Sequence, residues 1–339
     1  MSLNVGVIGA GAMGTAISQC IAPNTNKLLL YARRKEICDD INEGHINCEY
    51  HPSVKLHENI MAVNDLCDLK DVDVIFLCIP SSVMRQTMVQ LNDIVSDKCI
   101  FVSTAKGIEN KTNKRMSEVI EEETGRSAVV LSGPNIASEM MKNLPSATTI
   151  ASIKKKDLEI VKSVLSTPKL KVNTNHDVIG TEFCGIIKNI LAISQGICKG
   201  MGINDNAKFA VFTKSYNETK CIIEKLGGNR STVDDYCGFG DIITASTLNV
   251  SRNHTLGIWY GQGVYLDDQT GVLFEGKNTA IVLKEICDKL NIECLTGSSN
   301  SVLSSITSPK QLNILPKVAS PTGTIIVSPV STTSWPLYK

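Results

Sequence analysis

Residues 4–14 read Asn4-Val-Gly-Val-Ile8-Gly9-Ala-Gly11-Ala-Met-Gly14, and this stretch decides the fold of the chain. An apolar run typical of a buried strand leads directly into Gly-x-Gly-x-x-Gly and then into a helical pattern. In this setting the first glycine allows a tight turn, the second lets the backbone approach a pyrophosphate, and the third lets helix and strand pack closely. The stretch therefore predicts a dinucleotide-binding turn, with a chance glycine-rich turn as the alternative.

The composition limits the classes of protein to be considered. The 339 residues are 42% apolar, which is enough for one large or two medium domains with buried cores. Lys plus Arg number 34, as do Asp plus Glu, so the overall charge gives no reason to expect nucleic acid or an anionic membrane as partner. No basic leader and no run of about 18 apolar residues is present. We expect a cytoplasmic protein without a membrane span.

The twelve cysteines are scattered singly, without a Cys-x-x-Cys pair. This pattern is typical of reduced thiols in a cytosolic protein. A zinc site assembled from distant Cys and His is the alternative, but no paired ligand spacing favours it. We therefore expect no bound metal.

Short apolar runs alternate with helical patterns through the first half of the chain. They predict strands at 4–8, 27–31, 72–79, 99–103 and 128–132. From about Asp177, long helical patterns take over, at 181–200, 208–226 and 279–290. The alternation predicts a parallel sheet covered by helices. The predicted fold class is thus α/β, a Rossmann-type doubly wound sheet followed by a mainly α-helical second domain.

Three regions follow from this pattern. Residues 1–175 are predicted to form the dinucleotide-binding domain, and 176–306 the helical domain that carries substrate and catalysis. Residues 307–339 accumulate Ser, Thr and Pro and lose helical periodicity, so they are predicted to form an irregular tail.

The end of the second predicted strand bears on the choice of cofactor. A carboxylate there would accept hydrogen bonds from a free ribose 2′-hydroxyl, but Tyr31-Ala32-Arg33-Arg34-Lys35 contains none. Two guanidinium groups suit a 2′-phosphate, so NADPH is favoured over NADH. Use of both cofactors also fits, and the alternative is that Arg33 and Arg34 are exposed charges at a helix start.

Polar, glycine-containing segments follow three of the predicted strands, at 79–85, 103–109 and 131–139. The carboxyl ends of parallel strands form the edge where ligands bind in open α/β sheets. Lys106, beside Gly107, is therefore a candidate cation for a substrate, with a solvent-facing turn lysine as the alternative.

Lys188 lies in a predicted helix whose other residues are mostly apolar. On a helical wheel it shares a small, polar face with Cys184, Gly185 and Gln195. A lysine desolvated beside a cavity has a lowered pKa and acts as a general acid or base near neutral pH. The alternative is a helix with one solvated face, from which Lys188 extends into water.

Two further motifs lie in the helical half. Asp241 follows two glycines, which implies close backbone approach, although a helix cap is the alternative. Ser251-Arg252-Asn253 offers a guanidinium fork and two neutral hydrogen-bonding groups. Such a set suits a phosphate, and the alternative is that Arg252 is a surface charge.

Taken in order, these segments resemble the NAD(P)-dependent glycerol-3-phosphate dehydrogenase family of the bacterial type, from residue 4 to about residue 295. Eight motifs carry the resemblance: Gly9-x-Gly11-x-x-Gly14, Pro80-Ser with Arg85, Lys106-Gly-Ile-Glu109, Ser132-Gly-Pro-Asn135 with Ala137 and Glu139, Gly185-Ile-Ile-Lys188-Asn189, Gly240-Asp241, Ser251-Arg-Asn253 and Glu275-Gly276.

The resemblance implies reversible hydride transfer between a nicotinamide and C2 of dihydroxyacetone phosphate, giving sn-glycerol 3-phosphate for glycerophospholipid synthesis. It implies that Lys188 exchanges the proton with the C2 oxygen, that Lys106 polarises the carbonyl, and that Asp241 orients or balances the two lysines. The substrate-binding residues implied are Lys106, Gly133, Asn135, Lys188, Asn189, Asp241, Ser251, Arg252 and Asn253, the last three at the phosphate.

The resemblance also implies a set of cofactor contacts. The partners it implies are small molecules, and a homodimer is compatible with the family. Met13 stands where many members carry an aromatic residue, and Ala245 stands where relatives have threonine. The implied cofactor-binding residues are Gly9, Gly11, Ala12, Met13, Gly14, Arg33, Arg34, Lys106, Ala137, Arg252 and Glu275.

Two other functions remain open from the sequence. One is a related Rossmann reductase of a hydroxyacid, which also uses a helix lysine followed by asparagine. The motifs at 106–109 and 251–253 favour the phosphate substrate instead. The other is a dinucleotide sensor that binds the cofactor without turnover.

Overall fold

A single eight-stranded sheet forms the centre of the first of two compact units. The computed structural model describes residues 3–248, 251–264 and 275–290. The first unit comprises the residues up to Gly185 together with Ser231–Asp241, and the second comprises Ile186–Arg230 and the residues from Ile242 onward. The strands are β1 Leu3–Ile8, β2 Thr25–Tyr31, β3 Ile60–Val63, β4 Val74–Leu77, β5 Ile100–Ser103, β6 Val129–Ser132, β7 Ser146–Ala151 and β8 Leu170–Asn175.

The strand order β3-β2-β1-β4-β5-β6-β7-β8 is that of a doubly wound sheet. The chain moves outward from β1 to β3, returns to the centre, and then moves outward from β4 to β8. Every neighbouring pair is parallel except β6 and β7, which are antiparallel. The order reverses between β1 and β4, and ligands of such sheets bind at the carboxyl ends of the strands beside that point.

Helices cover both faces of this sheet, and the central strand β4 is therefore apolar and buried at every position. Along β4, Val74 and Phe76 belong to one buried core, whereas Ile75 and Leu77 belong to the other. Burial of each such large side chain stabilises the fold by about 1.5–3 kcal/mol. The helices of this unit are α1 Ala12–Ile21, α2 Lys35–Gly44, α3 Ser81–Asn92, α4 Met116–Thr124, α5 Ala137–Met141, α6 Lys155–Leu165 and the first two turns of α7 Val178–Gly200.

The predicted fold class is confirmed, and each of the five predicted strands corresponds to an observed one. The sequence patterns missed β3, β7 and β8. They also predicted a parallel sheet, whereas β7 runs against β6.

The second unit consists, within the described residues, of helices and turns only. It contains the remainder of α7, followed by α8 Asp205–Lys225, α9 Asp241–Thr247, α10 Arg252–Gly261 and α11 Glu275–Lys289; the first residue of α9 still belongs to the first unit. Because Ser231–Asp241 returns to the first unit, the two units do not divide at one point of the chain. The predicted domain limits at 175 and 306 stay a prediction, and the predicted tail at 307–339 lies outside the described residues.

Helices α7 and α10 approach each other backbone to backbone. A Cβ added to Gly196 would lie 2.1 Å from the His254 carbonyl oxygen, and one added to Gly257 would lie 2.1 Å from the Ile193 carbonyl oxygen. Gly200 and Gly261 repeat the same contact one turn further along. This crossing therefore admits no side chain, which explains glycine at four positions inside two helices.

We expect Gly257→Ala to lower the free energy of unfolding by about 1–3 kcal/mol, because the added methyl group must push the two backbones apart. Urea denaturation measures the change. Gly44→Ala is the matched control, since Gly44 ends α2 and a Cβ there would meet nothing within 4 Å. Equal stability of the two variants would show that the α7–α10 contact tolerates a side chain.

Candidate active site

The glycine turn after β1 takes the conformation that its sequence predicts. Gly9 has a φ of +108°, and its amide donates to the Tyr31 carbonyl over 3.1 Å. A Cβ on Gly14 would lie 1.9 Å from the Gly9 carbonyl oxygen, so the third glycine is required for α1 to pack on the turn. A Cβ on Gly11 would meet nothing within 4 Å, which leaves open space in front of the turn.

The amino end of α1 has the features of an anion site. Gly11 is its N-cap, no side chain caps the first amide groups, and the first turn contains no acidic residue. Ala12 is exposed there and Met13 is half-buried. Because a helix N-terminus carries a partial positive charge, these amide groups fit a pyrophosphate.

Arg33 and Arg34 follow β2 and are both exposed. The Asn64 side chain fixes the backbone there by donating to the carbonyls of Ala32 and Arg33, over 2.6 and 2.8 Å. The Arg34 guanidinium forms an ion pair with Glu49, and both side chains are about half exposed. Such exposed pairs contribute little stability, so an incoming anion can compete for Arg34.

Sequence reasoning missed two residues that hold the glycine turn in place. Asn47 is fully buried and donates to the Ala10 carbonyl and the Thr15 hydroxyl, each over 2.9 Å. The His51 ring lies 2.9 Å from the Ala12 carbonyl. Both belong to the segment after α2, which has no regular pattern, so no sequence signal marked them.

Lys106 lies in the loop after β5, at the same edge of the sheet as the glycine turn. Its ammonium donates to the Asp241 carboxylate over 2.5 Å and to the Gly133 carbonyl over 3.2 Å. The Asp241 side chain is 3% exposed and that of Lys106 is 19% exposed. Charges removed from water to this degree need a partner, and each supplies one for the other.

Small residues leave room for the Lys106 side chain. A Cβ on Gly185 of α7 would lie 2.8 Å from the Ser132 hydroxyl and 3.3 Å from Cγ of Lys106. Gly133 packs equally closely on β7, where a Cβ would lie 2.9 Å from Cα of Thr148. The need for close approach therefore accounts for glycine at both positions.

Two more of the predicted residues, Asn135 and Ala137, lie in the segment after β6. The Asn135 side chain donates to the Ala147 carbonyl over 3.2 Å and accepts from the Thr148 hydroxyl over 3.1 Å. These bonds hold Asn135 against β7. Ala137 begins α5 and is half-buried.

Two buried carboxylates anchor the start of α7 within the first unit. Asp177 accepts from the Gly180 amide and from the Thr232 hydroxyl, over 2.9 and 2.6 Å. Glu182 accepts from the amide and hydroxyl of Ser117 and from the Arg115 guanidinium, over 3.0, 2.6 and 3.0 Å. Burial raises the pKa of Glu182, and the Arg115 charge and the Ser117 bonds oppose that rise.

The second unit carries the predicted residues of the helical half. From Gly180 to Cys198 every residue of α7 is buried except Lys188, which is partly exposed. The solvated helix face that was the alternative for Lys188 is therefore absent over this span. Asn189 beside it is 7% exposed.

Helix α10 begins with the predicted Ser-Arg-Asn motif. The Ser251 hydroxyl caps the helix by accepting from the His254 amide, and Arg252 is exposed. The Asn253 side-chain oxygen accepts from the Gly276 amide over 3.2 Å, which ties the start of α10 to the start of α11. Glu275 begins α11, and its side chain lies outside the described residues. Burial lowers the pKa of His254, and the charges of Lys199 and Lys208 add to this effect.

The predicted site residues thus fall into two sets. In the first unit the structure brings Lys106, Gly133 and Asp241 into contact, at the sheet edge that also carries the glycine turn, Arg33, Arg34, Asn135 and Ala137. The second unit holds Lys188, Asn189, the start of α10 and Glu275.

Other predicted properties concern metal, thiols and membranes. Within the described residues, no group of three or more His, Cys, Asp or Glu side chains is placed to hold a metal ion. The cysteines in that part of the chain are free thiols. None of its helices is long and apolar enough to cross a membrane.

The glycine turn on a doubly wound sheet defines a Rossmann-type dinucleotide-binding protein. Models of the NAD-dependent glycerol-3-phosphate dehydrogenase N-terminus and C-terminus match residues 4–158 and 177–312. The chain belongs to this family.

Individual relatives agree with the family models. The chain is 35% identical over 312 residues to a glycerol-3-phosphate dehydrogenase (NAD(P)+) of Methanothermobacter thermautotrophicus, covering 91% of this chain and 95% of the relative. It is 36% identical over 308 residues to the enzyme of that name from Halalkalibacterium halodurans, covering 88% and 89%. The crystal structure of glycerol-3-phosphate dehydrogenase from Coxiella burnetii is similar with a TM-score of 0.83 at 27% identity, covering 93% and 99%.

Proposed function

We propose that the protein interconverts dihydroxyacetone phosphate and sn-glycerol 3-phosphate by hydride transfer with NADPH or NADH. Membership of the family and the names of the relatives support this activity. The observation that carries it is the buried pair of Lys106 and Asp241 at the carboxyl edge of the sheet. A fixed cation beside a dinucleotide turn suits a reaction that develops negative charge on oxygen.

The glycine turn and the start of α1 fit the pyrophosphate of the cofactor, because Gly11 leaves open space before uncapped amide groups. Arg33 and Arg34 would bind a 2′-phosphate, which favours NADPH. Ala12, Met13, Lys106, Ala137, Arg252 and Glu275 complete the proposed cofactor contacts. The bound cofactor supplies or accepts the hydride at nicotinamide C4.

The two lysines supply charge and a proton. Reduction of the ketone gives the C2 oxygen alkoxide character, which the Lys106 ammonium stabilises. Lys188 donates a proton from Nζ to that oxygen and recovers one from solvent; in the reverse direction it accepts the hydroxyl proton. Asp241 holds the Lys106 ammonium in place and balances its charge.

The start of α10 would bind the phosphate group of the substrate. Its helix N-terminus, the Ser251 hydroxyl and the Arg252 guanidinium suit an oxyanion, and Asn253 links this site to α11. Gripping the phosphate away from the reacting carbon lets binding energy orient the carbonyl. Gly133, Asn135 and Asn189 would line the remainder of the substrate site.

We further propose a cytoplasmic enzyme that supplies glycerol phosphate for glycerophospholipid synthesis. Its proposed partners are small molecules and not nucleic acid. A homodimer is also proposed, and light scattering of the purified chain tests it.

An assay with each cofactor tests the activity. We expect oxidation of NADPH that depends on dihydroxyacetone phosphate, with sn-glycerol 3-phosphate identified by chiral analysis of the product. Turnover of 3-hydroxyacids without turnover of the triose phosphate would support the hydroxyacid reductase instead. Binding of NADPH without any turnover would support the sensor.

We expect Lys188→Ala to lower kcat by about 10²–10⁴-fold while the Kd for NADPH changes little, because the variant loses the proton donor. Steady-state kinetics and cofactor fluorescence measure the two quantities. Lys199→Ala is the matched control, an exposed lysine on the same helix, and it should retain kcat. A Lys188→Ala enzyme as active as the control would exclude Lys188 as the proton donor.

We expect the double variant Arg33→Ala/Arg34→Ala to raise KM for NADPH by about 10- to 100-fold and to leave KM for NADH nearly unchanged. The reason is the loss of charge-assisted hydrogen bonds to the 2′-phosphate. Lys35→Ala removes a neighbouring exposed cation and serves as the control. Equal effects on both cofactors would contradict a role in recognising the 2′-phosphate.

A further inference from the structure

The loop of residues 104–115 carries Lys106 between β5 and α4, and two contacts fix its path against α3. The first is made by Gly107, where a Cβ would lie 2.5 Å from the Ser81 hydroxyl oxygen and 2.9 Å from Cβ of Ser81. The residue next to Lys106 therefore lies directly on the first turn of α3.

The second contact joins Glu109 to Arg85 by two parallel hydrogen bonds. Nε and an Nη of Arg85 donate to the two carboxylate oxygens of Glu109, each over 2.8 Å. This fork geometry fixes direction as well as distance. The side chains are 31% and 17% exposed, so solvent screens the pair only in part.

The two contacts lie on the same side of α3. Ser81 and Arg85 are four residues apart, which places them one above the other on one helix face. Gly107 and Glu109 meet them in the same order along the loop. The loop is thus held to α3 at two points, and Lys106 immediately precedes the first of them.

Arg85 also contacts two glutamates outside the loop. It donates to Glu122 over 2.8 Å and to Glu123, both on α4. The hydrogen bond from Arg85 is the largest cause of the lowered pKa of Glu109, which is therefore ionised near neutral pH. Of the three carboxylates around Arg85, Glu109 belongs to the loop that carries Lys106, Glu122 also pairs with Lys114 of that loop over 2.7 Å, and Glu123 contacts Arg85 from α4.

We propose that Arg85 and Glu109 are positioning residues, which fix the loop so that the Lys106 ammonium points at the Asp241 carboxylate and the Gly133 carbonyl. This inference rests on the proposed function. Displacement of a catalytic group by about 1 Å can lower a rate by about 100-fold, so a brace two residues away can control kcat.

The test compares two glutamates that contact the same guanidinium. Glu109→Gln keeps the size of the side chain but removes its charge, and Glu123→Gln does the same on α4. We expect Glu109→Gln to lower kcat for dihydroxyacetone phosphate by about 10- to 100-fold, whereas Glu123→Gln stays within about twofold of the parent. KM should change less than kcat, since Glu109 is not among the residues of the proposed phosphate site. Thermal unfolding of both variants accounts for any loss of folded protein.

A second comparison separates positioning from a general loss of structure. In a Lys106→Ala background, Glu109→Gln should lower kcat by no more than about a further twofold, because its effect acts through Lys106. If the double variant instead loses kcat by the product of the two separate effects, the proposal is wrong. Arg85→Lys keeps the positive charge without the fork and should also lower kcat by about tenfold or more, which provides a second variant if Glu109→Gln folds poorly.

The outcomes distinguish this inference from the function on which it rests. If the parent chain does not reduce dihydroxyacetone phosphate, the proposed function fails and the positioning role fails with it. If the parent is active and Lys106→Ala is not, but Glu109→Gln behaves like Glu123→Gln, only the positioning role is wrong.

Discussion

The burial of α7 is the constraint on which the rest of the structure depends. A helix without a solvated face cannot leave its first amide groups or its charged side chains to water. Asp177 therefore accepts from the Gly180 amide, and Glu182 is met by Arg115 and Ser117. In the second unit, α10 reaches the α7 backbone only because both helices carry glycine at the crossing. Lys188 is the partly exposed residue of the span 180–198, and this explains why a lysine is tolerated there.

The cations of the first unit differ in how firmly a carboxylate holds them. Lys106 and Asp241 are mostly buried, so separating them would leave an uncompensated charge, and the pair stays together. Arg34 and Glu49 are half exposed, and their weak pairing can be exchanged for another anion. Although the formal net charge is zero, the first unit therefore contains a cation in a fixed ion pair, Lys106, and a cation that can exchange its partner, Arg34.

Hydrophobic runs and glycine spacing predict the centre of the fold, because residues 5–8 of β1, 74–77 of β4 and 100–102 of β5 are buried and form continuous apolar stretches. β7 escapes such prediction because Thr148 and Thr149 are buried through hydrogen bonds and not through apolar character. The edge strand β8 alternates Lys and Asn with its buried residues, and so looks like a polar linker. In the site, motifs marked Lys106 and Asp241 as candidates. Asn47 holds the glycine turn by a contact across 37 residues, and Arg85 pairs with Glu109 across 24 residues. No local sequence pattern predicts contacts over such separations.

The reversed direction of β7 determines which way the chain crosses the sheet next. β8 is parallel to β7, so it ends at the edge opposite to the one that carries the glycine turn and Lys106. Helix α7 must then run back toward the first edge. The seven steps from Val178 to Gly185 advance it by about 10 Å, to the point where Gly185 meets Ser132 and Lys106. Had β7 been parallel, the helix would have left this edge instead of arriving at it. The single antiparallel pairing of the sheet thus determines that α7 runs toward the edge that carries Lys106.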